Sequence, residues 1–170
     1  EKKYRLSNID INLLQLASFH FDVFMGDLFK VIPNAGTIII ASEEEKLDPK
    51  KLCKLIEKHK VSIIESTPGL LFPLFKHIEN SNSKLDYLKK VIFGSDSVSN
   101  YDFYELVHKN QNQIEFYNSY GVTESSVEST SYLAKANDKY ESQITPIGYP
   151  LENVHIYILN KNQQLLPIGI

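Results

Sequence analysis

The chain has 170 residues, 42% of them hydrophobic, with one Cys, a formal net charge of −3 and a pI near 6.0. That length supports one domain with a substantial core rather than two. The mild negative charge excludes the basic field that would hold nucleic acid or an anionic membrane surface. A lone Cys excludes an internal disulfide framework and fits a reducing, cytoplasmic setting, and no apolar run reaches the roughly 18 residues of a transmembrane helix.

In chain order, the first expected element is a buried strand over "LLQLAS" (13–18). "FDVFMGDLFKVI" (21–32) carries apolar residues at helical spacing, and "NAG" (34–36) stops it. "TIIIA" (37–41) is β-branched and short, as an internal strand is. In "LDPKKLCKLIEKHK", Asp48 is an N-cap and Pro49 a first helical residue, with Leu52, Leu55 and Ile56 as the buried stripe. Cys53 lies in this helix, and we read it as a packing residue. "VSIIES" (61–66) is the next strand, "PGLLFPLFKHIEN" (68–80) a helix with a kink expected at Pro73, and "NSNSK" a loop. A strand at 88–94, a helix over Tyr101–Lys109 and a strand at 114–118 follow.

Strands alternating with helices predict an α/β fold, a doubly wound and mostly parallel sheet with helices on both faces. Past residue 127 the pattern changes. "STSYLA" and "NVHIYILN" read as strands with no helix between them, so 1–127 is the α/β region and 128–170 a strand-rich continuation. The chain opens on Glu1 and closes on "LPIGI", and we read it as one subdomain cut from a longer polypeptide.

Such a sheet binds ligands at the carboxyl ends of its strands, which lie near Asp22, Glu65, Gly94 and Asn118. Asp22, Glu65 and Glu128 are acids adjoining apolar segments. Each could cap a helix or face water, and Asp22, ahead of "VFMGDLF", is the natural N-cap among them. Glu65, between "SII" and "STPG", points instead into the crevice, where a carboxylate needs a partner or a cation. No P-loop or dinucleotide-binding glycine fingerprint is present. "GSDSVS" (94–99) is a small-residue turn that lets a flat ring approach backbone. In "NSYGVTE" (118–124), Tyr120 offers a flat face, Gly121 close approach, Thr123 a hydroxyl for a phosphate oxygen and Glu124 a hard ligand for Mg²⁺.

These segments resemble the middle of a nonribosomal peptide synthetase adenylation domain, within the adenylate-forming superfamily. "SFHFDVFMGDLFKVIPNAGTIII" is similar to the family segment opening with Phe-Asp. "NSYGVTE" is similar to its Asn-x-Tyr-Gly-Pro-Thr-Glu motif, and "TPIGYPLENVHIYILNKNQQLLPIG" to the stretch that follows. The resemblance implies that Asp22 binds a substrate α-amino group. It implies that Asn118 and Tyr120 hold and stack adenine against Gly94, Ser95 and Asp96, with Gly121 in the same cradle. Thr123 would contact the α-phosphate and Glu124 would coordinate Mg²⁺. Val122 stands where the family has Pro, which should loosen the turn slightly. The family's phosphate loop, ribose-binding Asp and catalytic Lys are not in these 170 residues, so the chain alone is expected to be inactive.

The family's side-chain pocket maps onto Asp22, Val23, Gly26, Glu65, Ile92, Gly94, Ser119, Val127 and Glu128. Gly26, Gly94 and Ser119 keep a channel open, while Glu65 and Glu128 face its far end. An apolar amino acid there would leave both acids desolvated and uncompensated, whereas a side chain with a terminal ammonium would compensate them. The set resembles the pattern the family associates with ornithine, although Glu128 replaces the usual Asp. The resemblance thus implies activation of a basic amino acid, most simply L-ornithine, with ATP and Mg²⁺. Transfer to phosphopantetheine on a carrier domain would follow, beside condensation domains, in peptide-antibiotic synthesis. The rivals are an acyl- or aryl-CoA ligase, against which Asp22 argues, and a non-catalytic binding module.

Overall fold

The computed structural model describes residues 4–81, 83, 85–110, 113–135, 138 and 142–169. Of the expected features, Asn82 and Lys84 of the 80–84 loop, Glu1 and Ile170 lie outside the described residues. The elements in order are β1 (Asn12–Gln15), α1 (Asp22–Val31), β2 (Thr37–Ile40), α2 (Glu43–Lys46), α3 (Pro49–Lys58), β3 (Ile63–Ser66) and α4 (Pro68–Ser81). They continue as β4 (Lys90–Phe93), α5 (Asn100–Asn110), β5 (Glu115–Tyr120), β6 (Thr130–Leu133) and β7 (Tyr149–Pro150), with short 3₁₀ turns at Leu6–Asn8, Ile32–Asn34 and Thr123–Ser125.

One seven-stranded sheet has the order β2-β1-β3-β4-β5-β6-β7. The first five strands in that order are parallel, and β6 and β7 add antiparallel. The connection from β1 to β2 runs one way along the sheet and the later crossovers run the other. Right-handed crossovers therefore put α1 on one face and α3, α4 and α5 on the opposite face. The core divides accordingly. Leu14, Ile64, Val91, Phe93 and Phe116 point to the three-helix face and meet Leu52, Leu71, Phe75 and Phe103. Their alternate neighbours Leu13, Ile63, Ile92 and Tyr117 point to the α1 face and meet Tyr4, Leu6, Ile11 and Val31. Strand periodicity of two produces this division.

Local signals account for most boundaries. Asp48 caps α3 by accepting from the amides of Lys50 and Lys51 at 2.9 and 3.3 Å, with Pro49 as first helical residue. Cys53 is buried in that helix, and burial raises its thiol pKa. α4 runs on through Pro73. Two expectations are corrected. Asp22 is the first residue of α1 rather than its cap. The capping position is Phe21, with no side-chain hydrogen bond, and an acid in the first turn still complements the helix dipole. The strand expected over 153–160 does not join the sheet, and only an isolated Leu159–Leu165 bridge forms there. The outer strand β7 is two residues long and ends in Pro150; Leu151 N–H still donates to the Ser129 carbonyl across from β6, so the Pro150 nitrogen, with no N–H, faces the free edge. No helix among the described residues is long and apolar enough to cross a membrane.

Candidate amino-acid and nucleotide site

The site begins with an inversion in α1. Its apolar residues do recur at helical spacing, but Phe21, Met25, Phe29 and Ile32 point outward, with Phe29 70% exposed. The face turned to the sheet carries Gly26, Asp27, Lys30 and Val31, and Asp27 and Lys30 are 1% and 8% exposed. The sheet meets them with Glu65, which shares the α1 face with Ile63 two residues earlier and is itself buried.

Lys30 binds this cluster together. Its Nζ donates to Glu65 Oε2 at 2.6 Å and lies 3.4 Å from Glu128 Oε1 and 3.9 Å from Asp27 Oδ1. The Tyr4 hydroxyl donates to both carboxylate oxygens of Glu128, at 3.0 and 3.1 Å. The Tyr4 ring stacks edge-on against Tyr117, with the Lys30 ammonium 5.8 Å from its centroid. Burial works to lower the Lys30 pKa, but Glu65, then Glu128 and Asp27, overcome it and hold the ammonium charged. Asp27 shifts the other way. Burial first and Glu65 second push its carboxyl up to about 8, against the pull of Lys30. Neither oxygen of Asp27 has a hydrogen-bond partner among the described residues, and its ion-pair contact is the longest of the three, so a neutral carboxyl is the form that fits. Tyr4 is raised well above its ordinary value by burial and by Glu128 and Glu65.

The expected pocket residues fall into two layers. Asp22, Val23, Glu65, Gly94, Ser119, Val127 and Glu128 line a cleft of about 230 Å³ at the carboxyl ends of β3, β4 and β5, together with Ser95, Gly121, Val122 and Thr123. Gly26 lies just behind it. A Cβ at Gly26 would sit 3.5 Å from both Lys30 Nζ and Val127 Cγ1, so a longer side chain would displace the ammonium. Ile92 is fully buried in the α1-face core, paired laterally with Glu65, and supports that strand from the side. A larger groove, about 790 Å³, lies between α4 and α5 and contains none of these residues.

The nucleotide candidates are distributed more loosely. Asn118 is buried, and its amide donates to the carbonyls of Thr145 and Pro146 at 3.3 and 2.9 Å, tying β5 to the segment before β7. Tyr120 ends β5 half exposed. Asp96 accepts from the Ser97 amide at 2.7 Å and shapes its own turn. Thr123 and Glu124 sit on the exposed 3₁₀ turn at the cleft's rim. Gly121 is needed for a different close approach from the one expected. A Cβ there would meet the Val127 carbonyl oxygen at 2.1 Å, so the glycine lets the chain's own 127–128 backbone fold over it. Ser95, Ser126 and Val127 all have left-handed φ, 62°, 63° and 74°. For β-branched Val127 that is a strained conformation, held where it faces the cleft.

Lys30, Asp27 and Tyr4 were not among the residues singled out from sequence. An acid and a base three apart, beside Gly26 in an otherwise apolar helix, is the signal that marks Asp27 and Lys30. Tyr4 has no comparable local signal.

A sheet wound in this order, with a cleft joining Asp22 to the Thr123–Glu124 turn, agrees with the class that the motifs resemble. Residues 2–170 match the family described as "AMP-binding enzyme", and the chain belongs to that family. It is 41% identical over 170 residues to bacitracin synthase 2 of Bacillus licheniformis, covering 99% of this chain and 6% of that protein. It is 38% identical over 167 residues to gramicidin S synthase 2 of Brevibacillus brevis, covering 98% and 4%. The chain thus spans a small part of the relatives it matches. The solved structure of CmiS6 superposes with a TM-score of 0.84 at 17% identity, covering 99% of this chain and 42% of that one. The Vibrio cholerae adenylation domain AlmE, in complex with glycyl-adenosine-5'-phosphate, superposes with a TM-score of 0.73 at 21% identity, covering 92% and 28%. At those identities the structural likeness shows the fold alone.

Proposed function

We propose that this chain supplies the amino-acid pocket and part of the nucleotide site of an adenylation domain that activates L-ornithine for nonribosomal peptide synthesis. The observation that carries the reading is the cleft, which joins Asp22 at the N-terminus of α1 to Glu65 and Glu128. Asp22 would receive the α-amino group, leaving the substrate carboxylate to attack the α-phosphorus of ATP and release pyrophosphate. Thr123 would donate to the α-phosphate, and Tyr120, Gly94, Ser95 and Asp96 would flank the adenine. Asn118 would serve as the brace beneath them. Catalysis here is positioning and charge stabilisation. An exposed single carboxylate such as Glu124 fits Mg²⁺, which takes one or two protein carboxylates and completes its shell with phosphate oxygens and water. Bound there, the ion would neutralise phosphate charge. The aminoacyl group would then pass to a phosphopantetheine thiol on a carrier domain, with condensation domains as further partners. AlmE's complex with an aminoacyl adenylate supports this assignment by analogy.

The charge on the cluster supports a cationic side chain in modified form. Glu65 and Glu128 are not unpaired, because Lys30 meets both. Three carboxylates, Asp22, Glu65 and Glu128, line the cleft, and that concentration of negative charge favours a substrate that brings a second ammonium besides its α-amino group. Lys30 also favours a second reading, in which it satisfies both acids and the side chain accepted is uncharged. ATP–pyrophosphate exchange on the full synthetase module containing this chain decides between them. The expected result is highest kcat/KM for ornithine, with lysine next. A preference for leucine, norvaline or another uncharged amino acid would establish the second reading.

A further inference from the structure

Asp22 and Glu65 reach the cleft from regular elements, the first turn of α1 and the end of β3. Glu128 does not. It sits outside both helix and strand, between the 3₁₀ turn Thr123–Ser125 and β6, right after Ser126 and Val127 with their left-handed φ of 63° and 74°. Its amide turns back to the Ser126 carbonyl at 2.9 Å. A glutamate in such a loop has three side-chain torsions to settle, and contacts must settle them against rotamer entropy.

Tyr4 supplies such contacts from behind the pocket wall. Its hydroxyl donates to Glu128 Oε1 and Oε2 at 3.0 and 3.1 Å. The same hydroxyl shares a hydrogen bond with Ser119, another residue of the cleft lining. The Lys30 ammonium, 3.4 Å from Oε1, attracts one oxygen, whereas the hydroxyl stands almost equidistant from both and so sets the axis of the carboxylate. The Tyr4 ring is locked in turn. It is buried, packs with Leu6, Val31 and Ile92 in the α1-face core and meets Tyr117 edge-on at 4.9 Å. Burial, then Glu128 and Glu65, hold its pKa well above the ordinary value, so the hydroxyl remains a donor.

We propose that Tyr4 is a specificity-positioning residue: its hydroxyl fixes where the Glu128 carboxylate stands in the cleft, and thereby the length of side chain that the pocket accepts. The inference rests on the adenylation reading and extends it to a residue of the N-terminal segment. Without the hydroxyl, Glu128 reaches to more than one depth, and side chains one methylene apart are told apart less well.

The test is Tyr4→Phe in the full module, which keeps the buried ring, with ATP–pyrophosphate exchange for ornithine and lysine at one neutral pH. The two substrates carry the same charges, so a change in protonation of Asp27 or its neighbours acts on both alike and their ratio reports geometry. Tyr4→Phe should lower the ornithine-to-lysine ratio of kcat/KM by about fivefold or more, out of the roughly 10–200-fold that one methylene is worth. The loss should fall on KM rather than kcat, because the side-chain contact is the same in ground and transition states. In a Glu128→Ala background the same substitution should change the ratio by less than about twofold, since the two residues act as a pair. An unchanged ratio in Tyr4→Phe, or an equal change with the Glu128 carboxylate absent, would overturn the proposal. A native module that prefers another amino acid ends the ornithine reading instead, and the same cycle is then run on that amino acid and its homologue one methylene longer. Crystal structures of the module test the positioning without any activity. A displaced or split Glu128 side chain in Tyr4→Phe supports it, and a side chain placed as in the native module refutes it. In the native module with its preferred amino acid bound, the Tyr4 hydroxyl should stay within about 3.2 Å of the Glu128 carboxylate, and a Glu128 turned away from Tyr4 refutes the proposal even where the variant does not fold.

Discussion

The ammonium of Lys30 lies 2.6 Å from Glu65 Oε2, although the two residues are 35 positions apart and both are buried. The pair joins the underside of α1 to the carboxyl end of β3 at the floor of the cleft. A charge-assisted bond of this kind is costly to break from one side, because the remaining ion stays buried.

Glu65→Ala should therefore act on both stability and selectivity. Leaving Lys30 with Glu128 as its closer remaining counter-ion should destabilise the fold by roughly 3–5 kcal/mol, read from urea unfolding. Where the variant is folded, kcat/KM for ornithine should drop by about 30-fold or more. An unchanged exchange rate with ornithine would remove Glu65 from recognition.

Asp27 makes stability depend on pH with a definite sign. Its carboxyl rises from 3.8 to about 8 on folding, chiefly through burial and then through Glu65. Between those values the folded chain holds a proton that the unfolded chain has released. This group's contribution is therefore fullest below pH 4, declines by up to about 1.4 kcal/mol per pH unit, and levels off above pH 8. Asp27→Asn removes the titration. Its stability relative to the native chain should climb steadily from pH 5 to pH 8, and parallel curves would contradict the assignment.

Gly121→Ala should disrupt the loop over the cleft. The added methyl meets the Val127 carbonyl oxygen at 2.1 Å and the Glu128 Cα at 2.6 Å, both backbone atoms that no rotamer change can move. A loss of about 1–3 kcal/mol is expected, with Glu128 displaced and ornithine selectivity reduced more than overall exchange. Native-like stability would show that this loop shifts freely.

Val127→Gly should separate strain from function. Relieving a β-branched residue at φ 74° should raise stability by about 1 kcal/mol. The cleft meanwhile loses an apolar wall beside Gly26, so discrimination among side-chain lengths should weaken, with lysine gaining on ornithine. Differential scanning calorimetry and exchange with both amino acids check the two halves.

The alternation of β-branched runs with helical periodicity was enough to predict one parallel sheet with helices on both faces, because strand and helix periods are local properties. Asp48-Pro49 placed the start of α3 for the same reason. Strand ends and the NSYGVTE motif located the cleft residues Asp22, Glu65 and Thr123, since chain topology delivers strand ends to one edge, and the family resemblance added Ser119. Three things needed the tertiary structure. The apolar stripe of α1 fixed the helix but not its rotation, and the buried side proved to be the one with Asp27 and Lys30. The segment 153–160 has strand-like residues, but an edge ending in Pro150 offers it no ladder. The two acids called for a cation, and the chain itself provides one from α1. Charge balance can be required by local sequence, but its partner is chosen by which surfaces folding presses together.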